Sequence, residues 1–179
     1  PELSRGLGDV YKRQGLGIHM LKMLKLNNIS AIGIDTKTEK FNTCNENGAE
    51  FSVSPMENNL KNKIADYSKS HDLDVVIDFV SSKSSLELGC SILGKGGRLV
   101  TLGGSGEQFL ANSADMLVKE LELIGSRYCT KQELKQSIDL YARGLIEPIV
   151  SVKTDFDGAE GLHDKIEKGE ITGRAGILI

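Results

Sequence analysis

The chain has little of what several function classes require. It contains no tryptophan, and only 5% of its 179 residues are aromatic, so few side chains could form a platform for nucleic-acid bases. Its formal net charge is −3, and the lysines and arginines are scattered, which leaves no basic patch for a phosphate backbone. These deficits argue against nucleic acid as a partner.

Cysteines and long apolar runs are also scarce. The three cysteines, Cys44, Cys90 and Cys129, are too far apart for a disulfide framework or a closed zinc knuckle, so we interpret them as small packing residues. No apolar stretch approaches the roughly 20 residues of a membrane-spanning helix, and no charged-then-apolar leader opens the chain. The default prediction is a reduced, cytoplasmic setting without a membrane partner.

The sequence does contain a regular alternation of strand-like and helix-like segments. SAIGID (Ser30–Asp35) and DVVIDFV (Asp74–Val80) are apolar runs typical of strands buried on both faces. Apolar residues recur at helical spacing between the strands. The alternation predicts an α/β fold, a doubly wound parallel sheet of the Rossmann type. The stripes include Met20, Met23 and Leu24; Leu60, Ile64 and Tyr67; Leu86, Cys90 and Leu93; and Leu134, Ile138, Tyr141 and Leu145.

The segment after Pro148 differs from the rest. IVSV and GRAGILI are predicted strands, and between them lies a predicted helix with Ala159, Leu162 and Ile166 facing inward. These elements belong either to the main sheet or to a second body.

A dinucleotide motif lies near the start of the chain. In a doubly wound sheet, G-x-G-x-x-G joins the first strand to the first helix, and an acidic residue about 20 positions later binds the adenosine ribose. Gly15-Leu16-Gly17 leads into a helical pattern, and Asp35 ends the second predicted strand. A carboxylate there would accept both ribose hydroxyls and repel a 2′-phosphate, which favours NAD over NADP. Each feature alone is common, but their joint spacing favours a nucleotide site.

The first half of this motif is missing. An apolar strand and two more glycines should precede Gly15, but DVYKRQ stands there. Ser4–Gln14 matches the translation of the adapter end left by transposase-based sequencing libraries, and Pro1–Leu3 would then be barcode. We therefore predict that residues 1–14 are not native and that the natural sequence lacks the first strand. Unpaired backbone and aggregation would follow unless the adapter residues fill that position.

Ordered blocks of the sequence resemble the medium-chain, zinc-dependent alcohol dehydrogenase family. They run from GLG through IGIDTKTEK, NENGAE, DVVIDFVSS, LGKGGRLVTLGG, KELELIGSRY and ARGLIEPIV to ITGRAGILI. The resemblance implies that residues 15–147 are an N-terminally truncated NAD-binding domain. Residues 148–179 would return to a catalytic domain that precedes this chain.

The resemblance also implies an activity for the parent protein. It would transfer hydride between an alcohol and a nicotinamide cofactor, with zinc as Lewis acid and an alcohol, aldehyde or ketone as substrate. The zinc ligands and the proton relay would lie upstream, so neither catalytic nor metal-binding residues are expected in this chain. The fragment itself is expected to be inactive and, without its glycines, to bind NAD weakly or not at all.

Several positions match the family's cofactor contacts. Asp35 would bind the ribose with Lys40 as its basic partner, and Arg174 would reach the pyrophosphate, to which a guanidinium can donate several hydrogen bonds. Arg174 could equally pair with Asp155 or Glu170, and Lys40 could lie on an exposed helix. The complete predicted set is Gly15, Leu16 and Gly17 in the phosphate loop, Asp35, Lys40, the turn residues Val80, Leu102 and Gly103, and Arg174.

Two other functions stay open. One is a zinc-free quinone or enoyl reductase of the same superfamily, against which Asp35 argues mildly because those enzymes often use NADP. The other is a nucleotide-binding module without catalysis. The family commonly forms dimers or tetramers through the edge of this sheet, so a homodimer or homotetramer is expected of the full-length protein, with LELIGSRY as the edge strand.

The remaining polar residues have simpler interpretations. Asp78 is a strand-end carboxylate that we expect to bond to nearby backbone. His19, His71 and His163 share no spacing with each other or with other metal ligands, so we predict surface or helix-face positions for all three.

Overall fold

The computed structural model describes residues 6–9, 14–70, 73–104, 106–168 and 170–179. Its first six strands are β1 (Gly6–Asp9), β2 (Ala31–Ile34), β3 (Ser52–Val53), β4 (Val75–Asp78), β5 (Arg98–Thr101) and β6 (Glu122–Gly125). The helices are α1 (Gln14–Leu26), α2 (Phe41–Glu46), α3 (Leu60–Ser70), α4 (Lys83–Ile92), α5 (Ser113–Lys119), α6 (Lys131–Ala142) and α7 (Ala159–Glu167), and a 3₁₀ turn (Thr38–Lys40) precedes α2.

The six strands form one parallel sheet in the order β3-β2-β1-β4-β5-β6. The chain runs outward from β1 to one edge, returns to the centre, and then runs to the other edge. This is the strand order of the doubly wound dinucleotide fold, and it confirms the predicted fold class. β6 lies at the edge, as predicted for LELIGSRY.

Residues assigned to the adapter form the centre of this sheet. β1 pairs in parallel with β2 on one side, where Leu7 lies opposite Ile32, and with β4 on the other, where Leu7 lies opposite Val76. The natural sequence is predicted to lack a first strand. In this chain Gly6–Asp9 occupies the position of the first strand. The sequence left two outcomes open, aggregation or a sheet completed by the residues before Gly15, and the structure has the second arrangement.

The helices pack apolar residues on both faces of the sheet. Successive residues of β2 divide between the faces, because side chains alternate along a strand: Ile32 and Ile34 join the larger cluster and Ala31 the smaller. From α1, Ile18 and Leu21 are buried and Leu24 packs against them, whereas Met20 and Met23 are half-buried outside this cluster. The larger cluster is Ile32, Ile34, Val53, Leu60, Ile64, Leu73, Val76, Leu86, Leu93 and Leu99; the smaller is Ile18, Leu21, Ala31, Cys44 and Ala49.

Two predicted apolar stripes are not covered. On α6, Leu134, Ile138 and Tyr141 share a helix face but are exposed, and Leu145, predicted to continue the stripe, lies beyond the end of the helix and is also exposed. On α7, Leu162 is buried as predicted, whereas Ile166, predicted to face inward, is 53% exposed. Periodicity shows which residues share a helix face; it does not show whether another element covers that face.

The last part of the chain forms a second sheet. β7 (Val150–Thr154) and β8 (Arg174–Ile177) pair in parallel, with α7 between them in sequence. This segment therefore does not extend the main sheet, since β7 and β8 pair with each other. In the part of the chain that the structure describes, no helix combines the length and apolar character needed to cross a bilayer.

Candidate cofactor site

The predicted site residues lie beside the carboxyl ends of the strands in the main sheet. Parallel strands place their carboxyl ends on the same side, and β1 and β4, where the strand order reverses, lie next to each other. Gly15–Gly17 follow β1, Asp35 follows β2, Val80 follows β4, and Leu102–Gly103 follow β5. In doubly wound folds this position is the ligand crevice.

Gly15 and Arg174 are in contact at the start of α1. α1 begins at Gln14, so Gly15, Leu16 and Gly17 form its first turn, where backbone N–H groups are available to an anion. A Cβ atom on Gly15 would lie 2.6 Å from Nε and 2.8 Å from Cζ of Arg174. The guanidinium can occupy this place because residue 15 lacks a side chain, and it brings positive charge to the helix N-terminus.

Asp35 is a buried carboxylate with one oxygen free to accept. The residue is 2% exposed. Its Oδ1 accepts a 2.9 Å hydrogen bond from the backbone N–H of Lys37. Its Oδ2 is buried and has no hydrogen-bond partner among the described residues. Burial raises the pKa of Asp35 above its usual value, although that N–H and the Lys40 ammonium act in the opposite direction.

Lys40 is buried beside this carboxylate. It ends the 3₁₀ turn and is 7% exposed, so the alternative of a lysine on an exposed helix is wrong. Burial lowers the pKa of Lys40, and the nearby charge of Asp35 partly opposes this. The attraction between the two charges favours their shared burial.

The turns after β4 and β5 touch each other. A Cβ atom on Gly103 would lie 2.5 Å from Oγ of Ser81 and 2.5 Å from the carbonyl oxygen of Val80, so only glycine permits this approach. Leu102 is half-buried, and its N–H donates to the carbonyl oxygen of Asp78 at 2.8 Å. Val80, Leu102 and Gly103 therefore form one continuous backbone surface beside the crevice.

Asp78 shapes the first of these turns. Its Oδ1 accepts from the N–H groups of Val80 at 2.7 Å and Ser81 at 3.0 Å, and its Oδ2 accepts from the hydroxyl of Ser85 at 2.8 Å. Ser81 adopts a left-handed conformation with φ of 57°. This confirms that Asp78 is a structural carboxylate that bonds to nearby backbone.

His19 is the site residue that sequence reasoning missed. It is half-buried: its Nδ1 contacts the carbonyl oxygen of Gly15, and its Nε2 accepts a 3.1 Å hydrogen bond from the N–H of Ile149. His19 therefore occupies a helix face, one of the two predicted positions, but it is half-buried and bonded to backbone on both ring nitrogens. Its partners are backbone groups, which leave no signal in the residue pattern. His163 is exposed as predicted, and His71 lies outside the described residues.

The sequence left Asp155 or Glu170 open as an ion-pair partner of Arg174, and it predicted that all three cysteines are packing residues. Asp155 accepts from the N–H of Gly158 at 3.1 Å, at the start of α7. Cys44 is buried and Cys90 half-buried, but Cys129 is exposed, so it is not a packing residue. Within the described residues, no group of three His, Cys, Asp or Glu side chains could hold a metal ion.

Comparison with known proteins gives consistent relatives. A family model described as zinc-binding dehydrogenase matches residues 15–143. An alcohol dehydrogenase from Geobacillus stearothermophilus is 23% identical over 165 residues, 92% of this chain and 48% of that protein. An acryloyl-coenzyme A reductase from Metallosphaera sedula is 26% identical over 163 residues, with coverage of 88% and 47%.

A solved structure shows the same fold. The alcohol dehydrogenase rspB from E. coli CFT073, complexed with NADH, matches with a TM-score of 0.81 and 23% identity over 93% of this chain and 49% of that one. The chain spans about half the length of the curated relatives it matches. The family model covers most of the chain, so the chain belongs to the zinc-binding dehydrogenase family, which confirms its resemblance to the medium-chain alcohol dehydrogenases.

Proposed function

We propose that this chain is the cofactor-binding part of an NAD-dependent oxidoreductase. The parent protein transfers hydride between an alcohol and nicotinamide. The observation that carries the proposal is the free Oδ2 of Asp35 at the carboxyl end of β2. A buried acceptor without a donor is costly, and the two hydroxyls of a ribose would supply donors. The NADH complex of the rspB relative supports the same cofactor.

Each part of the site has a role in this proposal. Asp35 binds the adenosine ribose and, with its negative charge, disfavours a 2′-phosphate. The first turn of α1 and Arg174 bind the pyrophosphate. The turns at Val80 and Gly103 provide backbone that approaches the cofactor. Residues 15–147 form the NAD-binding domain, and residues 148–179 return to a catalytic domain that precedes it in the parent protein.

Zinc belongs to that upstream domain in our proposal. In this proposal the present chain supplies cofactor binding and orientation. When bound upstream, zinc would act as a Lewis acid on the substrate oxygen. We further propose a cytoplasmic protein that assembles as a homodimer or homotetramer.

A second candidate is a zinc-free reductase of the same superfamily. The acryloyl-coenzyme A reductase from Metallosphaera sedula favours it, since that relative is 26% identical to this chain. Sequencing the source DNA upstream of the codon for Gly15 separates the two. Cysteine, histidine and glutamate ligands there support the alcohol dehydrogenase, and their absence supports the reductase.

The direct test restores the phosphate loop. Lys12→Gly with Gln14→Gly places glycines at positions 12, 14 and 17, which completes G-x-G-x-x-G. By calorimetry, we expect this variant to bind NAD and the unmodified 179-residue chain to bind it weakly or not at all. The matched control, Lys12→Ala with Gln14→Ala, removes the same side chains without providing glycine and should stay weak.

The cofactor preference tests Asp35 itself. In the glycine-restored variant we expect NAD to bind more tightly than NADP. Asp35→Asn should weaken NAD binding by about tenfold, the effect of one charge-assisted hydrogen bond, and should narrow the difference between the two cofactors. Restored variants that bind neither cofactor, or that bind both equally with Asp35 present, would contradict the proposal.

A further inference from the structure

Four residues from two distant parts of the chain form a closed set of contacts beside the site: Gly15 and His19 from α1, and Ile149 and Arg174 from the last part of the chain. The N–H of Arg174 donates to the carbonyl oxygen of Ile149 at 2.7 Å. The N–H of Ile149 donates to Nε2 of His19 at 3.1 Å. Nδ1 of His19 contacts the carbonyl oxygen of Gly15, and the guanidinium of Arg174 lies against Gly15. These four contacts connect the first turn of α1 to the beginnings of β7 and β8.

The partners of His19 determine where its proton lies. Ile149 offers an N–H, so Nε2 must present a lone pair. Gly15 offers a carbonyl oxygen, so Nδ1 must carry the hydrogen. Only the neutral ring with the proton on Nδ1 satisfies both contacts. The ring is thus an oriented connector between two backbone groups.

The position of Arg174 depends on this connection. Gly173 adopts φ of 82°, and a Cβ atom there would collide with the carbonyl oxygen of Ile149. The backbone leading into Arg174 is therefore pressed closely against Ile149, so a displacement of Ile149 displaces Arg174 as well. His19 holds Ile149 through its Nε2, and Lys22, also on α1, adds a second link by donating to the carbonyl oxygen of Glu147 at 2.9 Å.

We propose that His19 is a positioning residue, which holds Ile149 and thereby keeps the Arg174 guanidinium over the first turn of α1. The role in cofactor binding rests on the proposed function, because Arg174 there binds the pyrophosphate. His19 does not touch the cofactor itself; it acts through the backbone of Ile149.

The first experiment measures the ring directly in the 179-residue chain. Long-range ¹⁵N–¹H correlation spectra with ¹⁵N-labelled histidine distinguish the two neutral tautomers, and the His19 signal is the one lost in His19→Gln. We expect the proton on Nδ1. A neutral His19 with its proton on Nε2 overturns the proposal.

The second experiment measures the connection by amide hydrogen exchange. His19→Leu removes both contacts, and we expect exchange at Ile149 and Arg174 to accelerate about fivefold, the effect of one typical hydrogen bond. His19→Gln, whose amide can both accept and donate, should restore slow exchange. His163→Leu, on the exposed side of α7, is the matched control and should change neither rate. Unchanged exchange at both amides in His19→Leu contradicts the proposal.

The functional consequence is tested with the glycine-restored loop. In the glycine-restored chain, His19→Leu should weaken the binding of NAD about fivefold. The binding of adenosine, which has no pyrophosphate, should be unaffected. In an Arg174→Ala background the same substitution should have no further effect, because the two residues act in series. Equal losses for NAD and adenosine would overturn the positioning role. If the restored chain binds no NAD, the proposed function fails, while the tautomer and the exchange rates still decide the role of His19.

Discussion

Removing the central strand should abolish the cooperative unfolding transition of this chain. β1 has four paired residues on each side, opposite β2 and opposite β4. At about one hydrogen bond per pair and about 1 kcal/mol net for each, the strand contributes roughly 8 kcal/mol. The total stability of a domain is typically about 5–15 kcal/mol. A chain without residues 1–13 would therefore lose most or all of its stability.

The assay is urea unfolding followed by far-ultraviolet circular dichroism. The full chain should show one cooperative transition, and the shortened chain a broad signal change or aggregation, because β2 and β4 are then left with unpaired edges. An equal midpoint and an equal urea dependence in both chains would refute the reasoning, since β1 would then contribute nothing to the fold.

A point substitution tests the same strand without shortening the chain. Leu7→Pro removes one N–H from a central strand, where proline is not tolerated, and should lower the free energy of unfolding by about 1–3 kcal/mol. Leu7→Val keeps the N–H and is the matched control, with little expected loss. Equal stability of the two variants would contradict a paired β1.

Two carboxylates give the remaining predictions. Asp78→Ala removes the acceptor of the Val80 and Ser81 amides and should lower the free energy of unfolding by about 2–6 kcal/mol, whereas Ser85→Ala should lower it by about 1 kcal/mol. Urea unfolding of both variants measures this difference, and equal losses of stability would contradict the prediction. Because burial raises the pKa of Asp35, the folded chain holds that proton more tightly than the unfolded one, and this stability is lost as pH rises from about 4 through the folded pKa. The free energy of unfolding of Asp35→Asn, relative to that of the unmodified chain, should therefore rise between pH 4 and pH 7. A difference in unfolding free energy that stays constant over this range would contradict this prediction.

The apolar strands and the spacing of the motif made the fold class and Asp35 predictable. SAIGID and DVVIDFV can satisfy a buried parallel sheet and little else, and an acidic residue after the second strand lies at the crevice once the fold is known. Val80 and Gly103 were expected at the site from the family resemblance, and both follow strands that end on the same side.

The central strand could not be predicted from its residues. Gly6–Asp9 reads GLGD, and glycine and aspartate are both depleted in strands. The gap between β2 and β4 nevertheless offers backbone partners on both sides, and that tertiary context outweighs local propensity. A parallel ladder is made by the main chain, so it accepts residues that the side-chain pattern would not select.

The contacts of His19 could not be predicted from the sequence, and those of Lys40 only in part. His19 uses the backbone of Ile149, 130 positions away, and a backbone amide has no residue type to recognise. For Lys40 the sequence left two positions open, beside Asp35 or on an exposed helix, because lysine is rarely buried without a partner. Asp35 is that partner, and the pairing depends on the 3₁₀ turn, which could not be predicted from the sequence.

The contact between Gly15 and Arg174 constrains how the two positions can evolve. The space above Gly15 is filled by the guanidinium, so a methyl group at position 15 and an arginine at position 174 compete for one volume. Each residue sets the acceptable size of the other across almost the whole length of the chain. Sequences of this family that carry alanine at the first position are therefore expected to carry a shorter or differently directed side chain at the second, as a correlated pair of substitutions.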